Sequence, residues 1–347
     1  MSFIDTPGLL PAFVAEVRAR AHGAGLDLYE YDRVTAGLGA LDEWPEAFGG
    51  VGRRYVAEAE GAAAEGRTVT AGAAYRCAAR WFHAGCLMPH PDRAAAAWLA
   101  GEADEAMRRS LALLEPEARR VEGEGFAGWL RRPVVGGAAP VVLVVPGMDS
   151  SKEEFHALVE ALLARGVAVL AMDGPGQGVL AATSAPEPDY HRVVGRALDA
   201  LGAHEGLDLT RTAVIGLSLG GYYAAKAAAH EPRLCAAVTV SGPYRLDWEA
   251  LVPFVTETLI QRCGSVEAAR AFADRLDLTA PAPTITLPLL VVEGGEDRIP
   301  GVVNATVLAE HAPNAELLLV PHGNHLLGTA LPDWLPATAD WLATRLS

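Results

Sequence analysis

The spacing of apolar and polar positions changes near residue 115. Before it, alanine, leucine and arginine recur at helical spacing over 57–64, 71–87 and 93–114, punctuated by Gly and Pro, without convincing strand alternation. After Glu115-Pro116, two short stretches at 118–121 and 126–132 flank Gly123-Glu124-Gly125 and predict a hairpin. Short, wholly apolar runs then alternate with amphipathic ones. They predict strands at 141–145, 167–172, 213–217, 236–240, 289–293 and 316–320. Between and after these come helices at 152–165, 190–204, 219–230, 302–311 and 334–346, with a mostly helical insertion at 246–278. Residues 133–140 read as a loop within one domain. Strands apolar on both faces, each followed by a helix, imply an α/β fold with a parallel sheet covered on both sides. The chain thus divides into a helical part, 1–115, and an α/β part, 116–347.

A length of 347 residues exceeds the roughly 250–300 at which single cores split, in keeping with two parts. The balance of 28 basic against 43 acidic residues gives a formal charge of −15. Such a surface repels phosphate backbones and anionic lipids, so neither nucleic acid nor membrane is expected as a partner. No apolar run approaches the roughly 20 residues that span a bilayer, and residues 1–11 lack the basic-then-apolar pattern of a secretory leader. Cys77, Cys86, Cys235 and Cys263 show no CxxC spacing; reduced, mostly buried thiols and a cytoplasmic location are expected.

Gly216-Leu217-Ser218-Leu219-Gly220 matches G-x-S-x-G, where a serine stands on a strained strand-to-helix turn. Nine serines and 36 glycines in 347 residues give ~0.1 such matches by chance, so context matters. An apolar strand precedes the motif and an alanine-rich helix follows it; the plainer reading is a serine capping that helix. A serine nucleophile needs a base, and the base needs an orienting carboxylate, in the chain order Ser, Asp or Glu, His. Asp297 follows the strand at 289–293 and His325 the strand at 316–320, at the sheet edge where active sites of α/β sheets lie. His322 competes with His325, and Glu293 and Glu296 with Asp297. The Gly-x-His pattern and loop length favour His325, and Glu293 reads as still within its strand. Asp173 precedes the serine and would break the order, so its expected role is to tie down the turn 173–178. Oxyanion donors are expected from the backbone N–H groups of Leu219, after the nucleophile, and Met148, in the turn after the first parallel strand, where Gly147 permits close approach.

Three segments together, Pro146-Gly147-Met148-Asp149-Ser150-Ser151-Lys152-Glu153-Glu154, Asp173-Gly174-Pro175-Gly176-Gln177-Gly178 and Gly216–Gly221, resemble one branch of the α/β-hydrolase superfamily. That branch holds 2,6-dihydroxypseudooxynicotine hydrolase, fungal hydrolases that shorten polyketide pigment precursors, and esterases related to the fermentation–respiration switch protein. Val179 departs from the acidic residue frequent there. The likeness covers about 115–346 and extends loosely to Tyr75-Arg76-Cys77-Ala78-Ala79-Arg80-Trp81-Phe82. It implies an eight-stranded, mostly parallel sheet, an N-terminal helical cap that also dimerises, and hydrolysis of a carbon–carbon bond beside a ketone with neither cofactor nor metal. The carbon leaving group must depart as a stabilised carbanion, so a small ketonic, aromatic substrate such as a 1,3-dicarbonyl or acyl-phenol is expected. The resemblance further implies an active-site glutamate, which falls on Glu249, and substrate contacts from Tyr75, Phe82, Tyr244 and Trp248. Glu249 also reads as an ordinary acidic residue in a helix start behind Asp247. An esterase, lactonase or acyltransferase using the same triad, and a noncatalytic binding protein on this fold, are the competing functions.

Overall fold

The computed structural model describes residues 3–90, 92–134 and 136–347; the leader reading of 1–11 and the loop at 133–140 run partly outside them. Among the described residues, five α-helices precede the first strand: α1 (Leu9–Gly23), α2 (Leu28–Thr35), α3 (Trp44–Ala64), α4 (Thr68–Ala84) and α5 (Arg93–Leu114). Local signals set their starts. Asp27 accepts the Glu30 N–H ahead of α2, Asp92 accepts those of Ala94 and Ala95 ahead of α5, and Pro45 opens α3. The small residues let α3, α4 and α5 pack closely: a Cβ on Gly52 would lie 2.7 Å from the Phe82 ring, and one on Gly72 2.5 Å from Leu114. Trp44 stacks on Phe48 at 4.1 Å, with Tyr31, Phe13 and Trp81 around them.

The remainder runs β1 (Arg119–Gly123), β2 (Phe126–Arg131), β3 (Ala139–Val145), α6 (His156–Leu163), β4 (Ala168–Asp173), α7 (His191–Leu201), β5 (Leu207–Leu217) and α8 (Leu219–His230). It continues through β6 (Leu234–Val240), β7 (Pro243–Leu246), α9 (Pro253–Cys263), α10 (Val266–Asp274), β8 (Leu289–Gly294), β9 (Val302–Asn304), α11 (Thr306–His311), β10 (Ala315–Val320) and α12 (Leu331–Arg345). Eight strands form one sheet in the order β1-β2-β4-β3-β5-β6-β8-β10, parallel except where β2 joins β1 and β4. The period-two alternation splits the central strands between two cores. Val141, Leu143 and Val145 face α7 and α8, while Val142 and Val144 face α6 and α12.

Three expectations are corrected. The helix placed at 152–165 begins only at His156, because Lys152, Glu153 and Glu154 form a turn that buries their charges in ion pairs. The single helix expected at 302–311 is divided. β-branched Val302 and Val303 pair antiparallel with β7 in a separate two-stranded sheet, and α11 starts at Thr306. The four cysteines are free but part-exposed rather than mostly buried. Among the described residues, no helix is long and apolar enough to cross a membrane.

Candidate active site

Ser218 stands between β5 and α8 with φ 55° and ψ −128°, a conformation disfavoured for any residue with a Cβ and costing of order 1–3 kcal/mol. Its surroundings explain the flanking glycines. A Cβ on Gly216 would lie 1.8 Å from the Gly220 carbonyl oxygen, and one on Gly220 2.2 Å from that of Val145. The elbow is held by the Ser218 N–H, which donates to Val240 at 2.8 Å, and its half-buried corner carries the hydroxyl.

Asp297 and His325 arrive on two loops that brace one another. A Cβ on Gly294 would lie 2.3 Å from the Gly323 carbonyl oxygen, and the Glu296 N–H donates to that same carbonyl at 2.9 Å. His325 Nδ1 lies 2.8 Å from Asp297 Oδ2, and its Nε2 lies 3.0 Å from Ser218 Oγ. With the Asp297 carboxylate accepting from Nδ1–H, Nε2 is left as the acceptor for the serine proton. Asp297 is nearly buried, while His325 keeps a quarter of its side chain open to solvent. The competitors fall away on geometry: His322 is largely exposed and bonded to Asp333, and Glu296 is exposed.

Three supporting residues escaped the sequence reasoning. Ser241, at the end of β6 with φ 50°, accepts the Leu326 N–H at 3.0 Å and so fixes the backbone beside His325. Gln177 donates to the carbonyls of Pro146 (2.5 Å) and Gly147 (3.1 Å), and accepts from the Tyr190 hydroxyl and the Gly174 N–H. It thereby pins the turn holding Met148; the Gly-Gln-Gly pattern was visible, but its reach across to 146–147 was not. Glu293, which competed with Asp297 and read as still within its strand, is wholly buried at the end of β8, with Oε1 accepting the Ala305 N–H at 3.2 Å and Oε2 unpartnered. Burial first, and the nearby Asp297 charge second, push its carboxyl up to about 8.

Leu219 opens α8, so its N–H is one of those without an intrahelical acceptor. Gly147 brings the Met148 turn against the elbow: a Cβ there would lie 3.0 Å from Ser218 Cβ. Asp173 does tie down its turn, accepting the Val179 N–H at 3.2 Å and both the N–H and the ammonium of Lys152.

A second Ser–His–acid set joins the helical part to this edge. Ser151 Oγ lies 2.9 Å from His83 Nδ1, and His83 Nε2 lies 3.0 Å from Glu154 Oε2. Arg20 of α1 grips Glu154 with two nitrogens and also reaches Asp149 and Ser150. Burial alone would raise the Glu154 carboxyl, but Arg20 and His83 outweigh it and hold it well below the usual carboxylate range. A carboxylate so fully neutralised by Arg20 is a tie between helices and loop, in contrast to the Asp297 carboxylate of the Ser218 set.

The substrate-contact residues expected from resemblance have other ring and cation neighbours than the triad residues. Phe82 is buried among α3, α4 and α5 against Trp98, and Tyr75 packs beside Arg109. Both serve the helical core, while the neighbouring His83 faces the α/β part. Tyr244 is buried on β7 near His311, and Trp248 lies under Arg270. Glu249 is not in the dry setting expected of it: three-quarters of its side chain is exposed, in a single helical turn, paired with Arg270. Among the described residues no group of three or more His, Cys, Asp or Glu could hold a metal ion.

Residues 140–279 match the family model described as the alpha/beta hydrolase fold. The chain is 32% identical over 248 residues to 2,6-dihydropseudooxynicotine hydrolase of Paenarthrobacter nicotinovorans, covering 67% of each chain. It is 30% identical over 269 residues to the alpha/beta hydrolase gkaG of Penicillium citrinum, covering 72% of this chain and 62% of that one. Against the crystal structure of 2,6-dihydroxy-pseudo-oxynicotine hydrolase, the fold superposes with a TM-score of 0.83 at 27% identity over 95% of both chains.

Proposed function

Since the chain belongs to the α/β-hydrolase family and is a hydrolase, we propose that it is a serine hydrolase that cleaves a carbon–carbon bond next to a ketone. The observation that carries this reading is the continuous relay Asp297–His325–Ser218 at 2.8 and 3.0 Å. The likeness to the pseudooxynicotine hydrolase over nearly the whole chain favours a ketonic substrate over an ester. His325 Nε2 takes the Ser218 proton as Oγ adds to the ketone carbonyl. The backbone N–H groups of Leu219 and Met148 receive the oxyanion. Collapse breaks the C–C bond, its electron pair passing into an adjacent carbonyl or phenol ring, and the imidazolium returns the proton to the departing carbon. Water, activated by His325, then releases the acyl group as a carboxylic acid. No cofactor enters these steps.

The helices within 1–115 act as a lid, fastened by Arg20 and His83 to the loop after β3, which restricts water at the site. A homodimer formed through these helices, and a cytoplasmic location, complete the proposal. The test is product analysis with benzoylacetone and with 4-nitrophenyl acetate. Cleavage of the diketone and water to benzoate and acetone, or to acetate and acetophenone, abolished in Ser218→Ala, supports the reading. Turnover of the ester alone would move the enzyme to the carboxylesterase class.

A further inference from the structure

A cavity of about 40 Å³ lies between the start of α5, the last turn of α9 and the loop at 149–153. That is room for a carboxylate head group in place of a few waters. Its walls carry nitrogen donors that have no acceptor among the described residues. Arg262, on α9, makes neither a hydrogen bond nor an ion pair, and its Nε is buried. Arg93, at the first residue of α5, is likewise unpaired; it faces the same cavity, and its charge adds to the burial that pulls the Arg262 guanidinium below its ordinary value. His90 Nδ1 accepts the Asp92 N–H at 2.9 Å, so the neutral ring carries its proton on Nε2, which is buried and unpartnered.

Neither carboxylate on the wall bonds these donors, although the Asp149 charge acts on Arg262 against the effect of burial. Asp149 is held by Arg20 at 2.8 Å. Glu153 lies 2.9 Å from Lys152, and burial pushes its carboxyl up against the pull of that ammonium. Buried donors are satisfied in nearly all proteins, and two guanidinium groups facing one space repel unless an anion lies between them. The rest of the wall is small and apolar, with Ala96, Ala97, Ala100 and Ala103 of α5 beside Met88. No triad residue lines the cavity, but its wall comes near the elbow through one glycine: Ser150 on the wall and Ser218 both abut Gly147, whose Cβ would lie 3.3 Å from Ser150 Oγ and 3.0 Å from Ser218 Cβ.

We propose that this cavity is an anion subsite in which Arg262, Arg93 and the His90 Nε2–H hold an ionised carboxylate or phenolate of the substrate. Its assignment to substrate rests on the hydrolase reading above; the binding of an oxyanion does not. Two measurements separate them. Calorimetric titration with benzoate should show binding to the wild type and to Ser218→Ala alike, and roughly 10–100-fold weaker binding to Arg262→Gln, the scale of one lost charged hydrogen bond. The preference in kcat/KM for the anionic mono-4-nitrophenyl glutarate over neutral 4-nitrophenyl acetate should fall by a similar factor in Arg262→Gln. Arg93→Gln, at an exposed position that does not endanger folding, should lower both several-fold. Equal benzoate affinity in wild type, Arg262→Gln and Arg93→Gln, or no benzoate binding to the wild type, would overturn the subsite. Benzoate binding that depends on Arg262 without any ester or diketone turnover would retain the anion site and refute the hydrolase reading.

Discussion

Replacing Glu293 by glutamine isolates the energetic consequence of burying a carboxyl beside the triad acid. In the folded protein this group titrates near 8 against the usual 4.5, because burial and the Asp297 charge disfavour its ionised form. Between those values the folded state holds a proton that the unfolded chain has released, so stability falls as pH rises through the window. The displacement from 4.5 to 8 is 3.5 units, which at 1.36 kcal/mol per unit is about 5 kcal/mol in all. About 4 kcal/mol of it is lost between pH 5 and pH 9. Glutamine keeps an acceptor for the Ala305 N–H and an uncharged group in place of the protonated oxygen, so Glu293→Gln should not show this loss. At roughly 2.1 cal/mol/K per residue, 347 residues give ~0.73 kcal/mol/K, and 4 kcal/mol becomes roughly 5 °C in melting midpoint. Paired thermal melts of wild type and variant from pH 5 to pH 9 measure it. The variant should gain on the wild type as pH rises. A constant gap across that range would show that Glu293 does not carry a raised pKa.

Ser218→Ala should abolish turnover, and Asp297→Asn should reduce kcat by about 10⁴ through loss of the His325 tautomer; near-normal rates in either folded variant would break the triad. Glu154→Gln removes the partner of Arg20 and His83 and should destabilise the protein by about 3–5 kcal/mol at pH 7, read from thermal or urea midpoints. Because the folded-state carboxyl lies below the unfolded 4.5, the wild type loses this advantage as pH falls under 4.5 and the gap between the two should narrow. Glu249→Gln, at an exposed ion pair, should leave both diketone and ester turnover within about twofold; a selective loss of diketone cleavage would show that the 246–278 segment moves inward during catalysis.

Local sequence determined the parts of this protein governed by nearest neighbours along the chain. Apolar runs of five or six residues are satisfied as strands buried on two faces, except at the edge strand β10, where Leu317 and Leu319 stay about half exposed, and the sheet follows from their alternation with helices. The elbow was legible because Gly216 and Gly220 meet backbone atoms at distances no side chain tolerates, a steric demand written in residue type. Asp297 and His325 could be placed because each lies on the loop that follows a strand whose direction is fixed. What depends on partners far apart in sequence was decided only in three dimensions. Nothing in the charged run Lys152-Glu153-Glu154 distinguishes an exposed helix start from a buried turn; the helix was the wrong choice because Asp173, Asp104 and Arg20 arrive from other elements to neutralise it. Tyr75 and Phe82 lie on the same helix as His83, and only the packing of α3 and α5 decided that the aromatic rings face the helical core while the imidazole meets Ser151 and Glu154. Arg262 and His90 lie 172 positions apart and carry no motif; their unpaired nitrogens face one cavity because α9 packs against the segment that enters α5, with Gln261 accepting the His90 N–H. Residue type fixes which groups need a partner, but the tertiary fold fixes which of them find one.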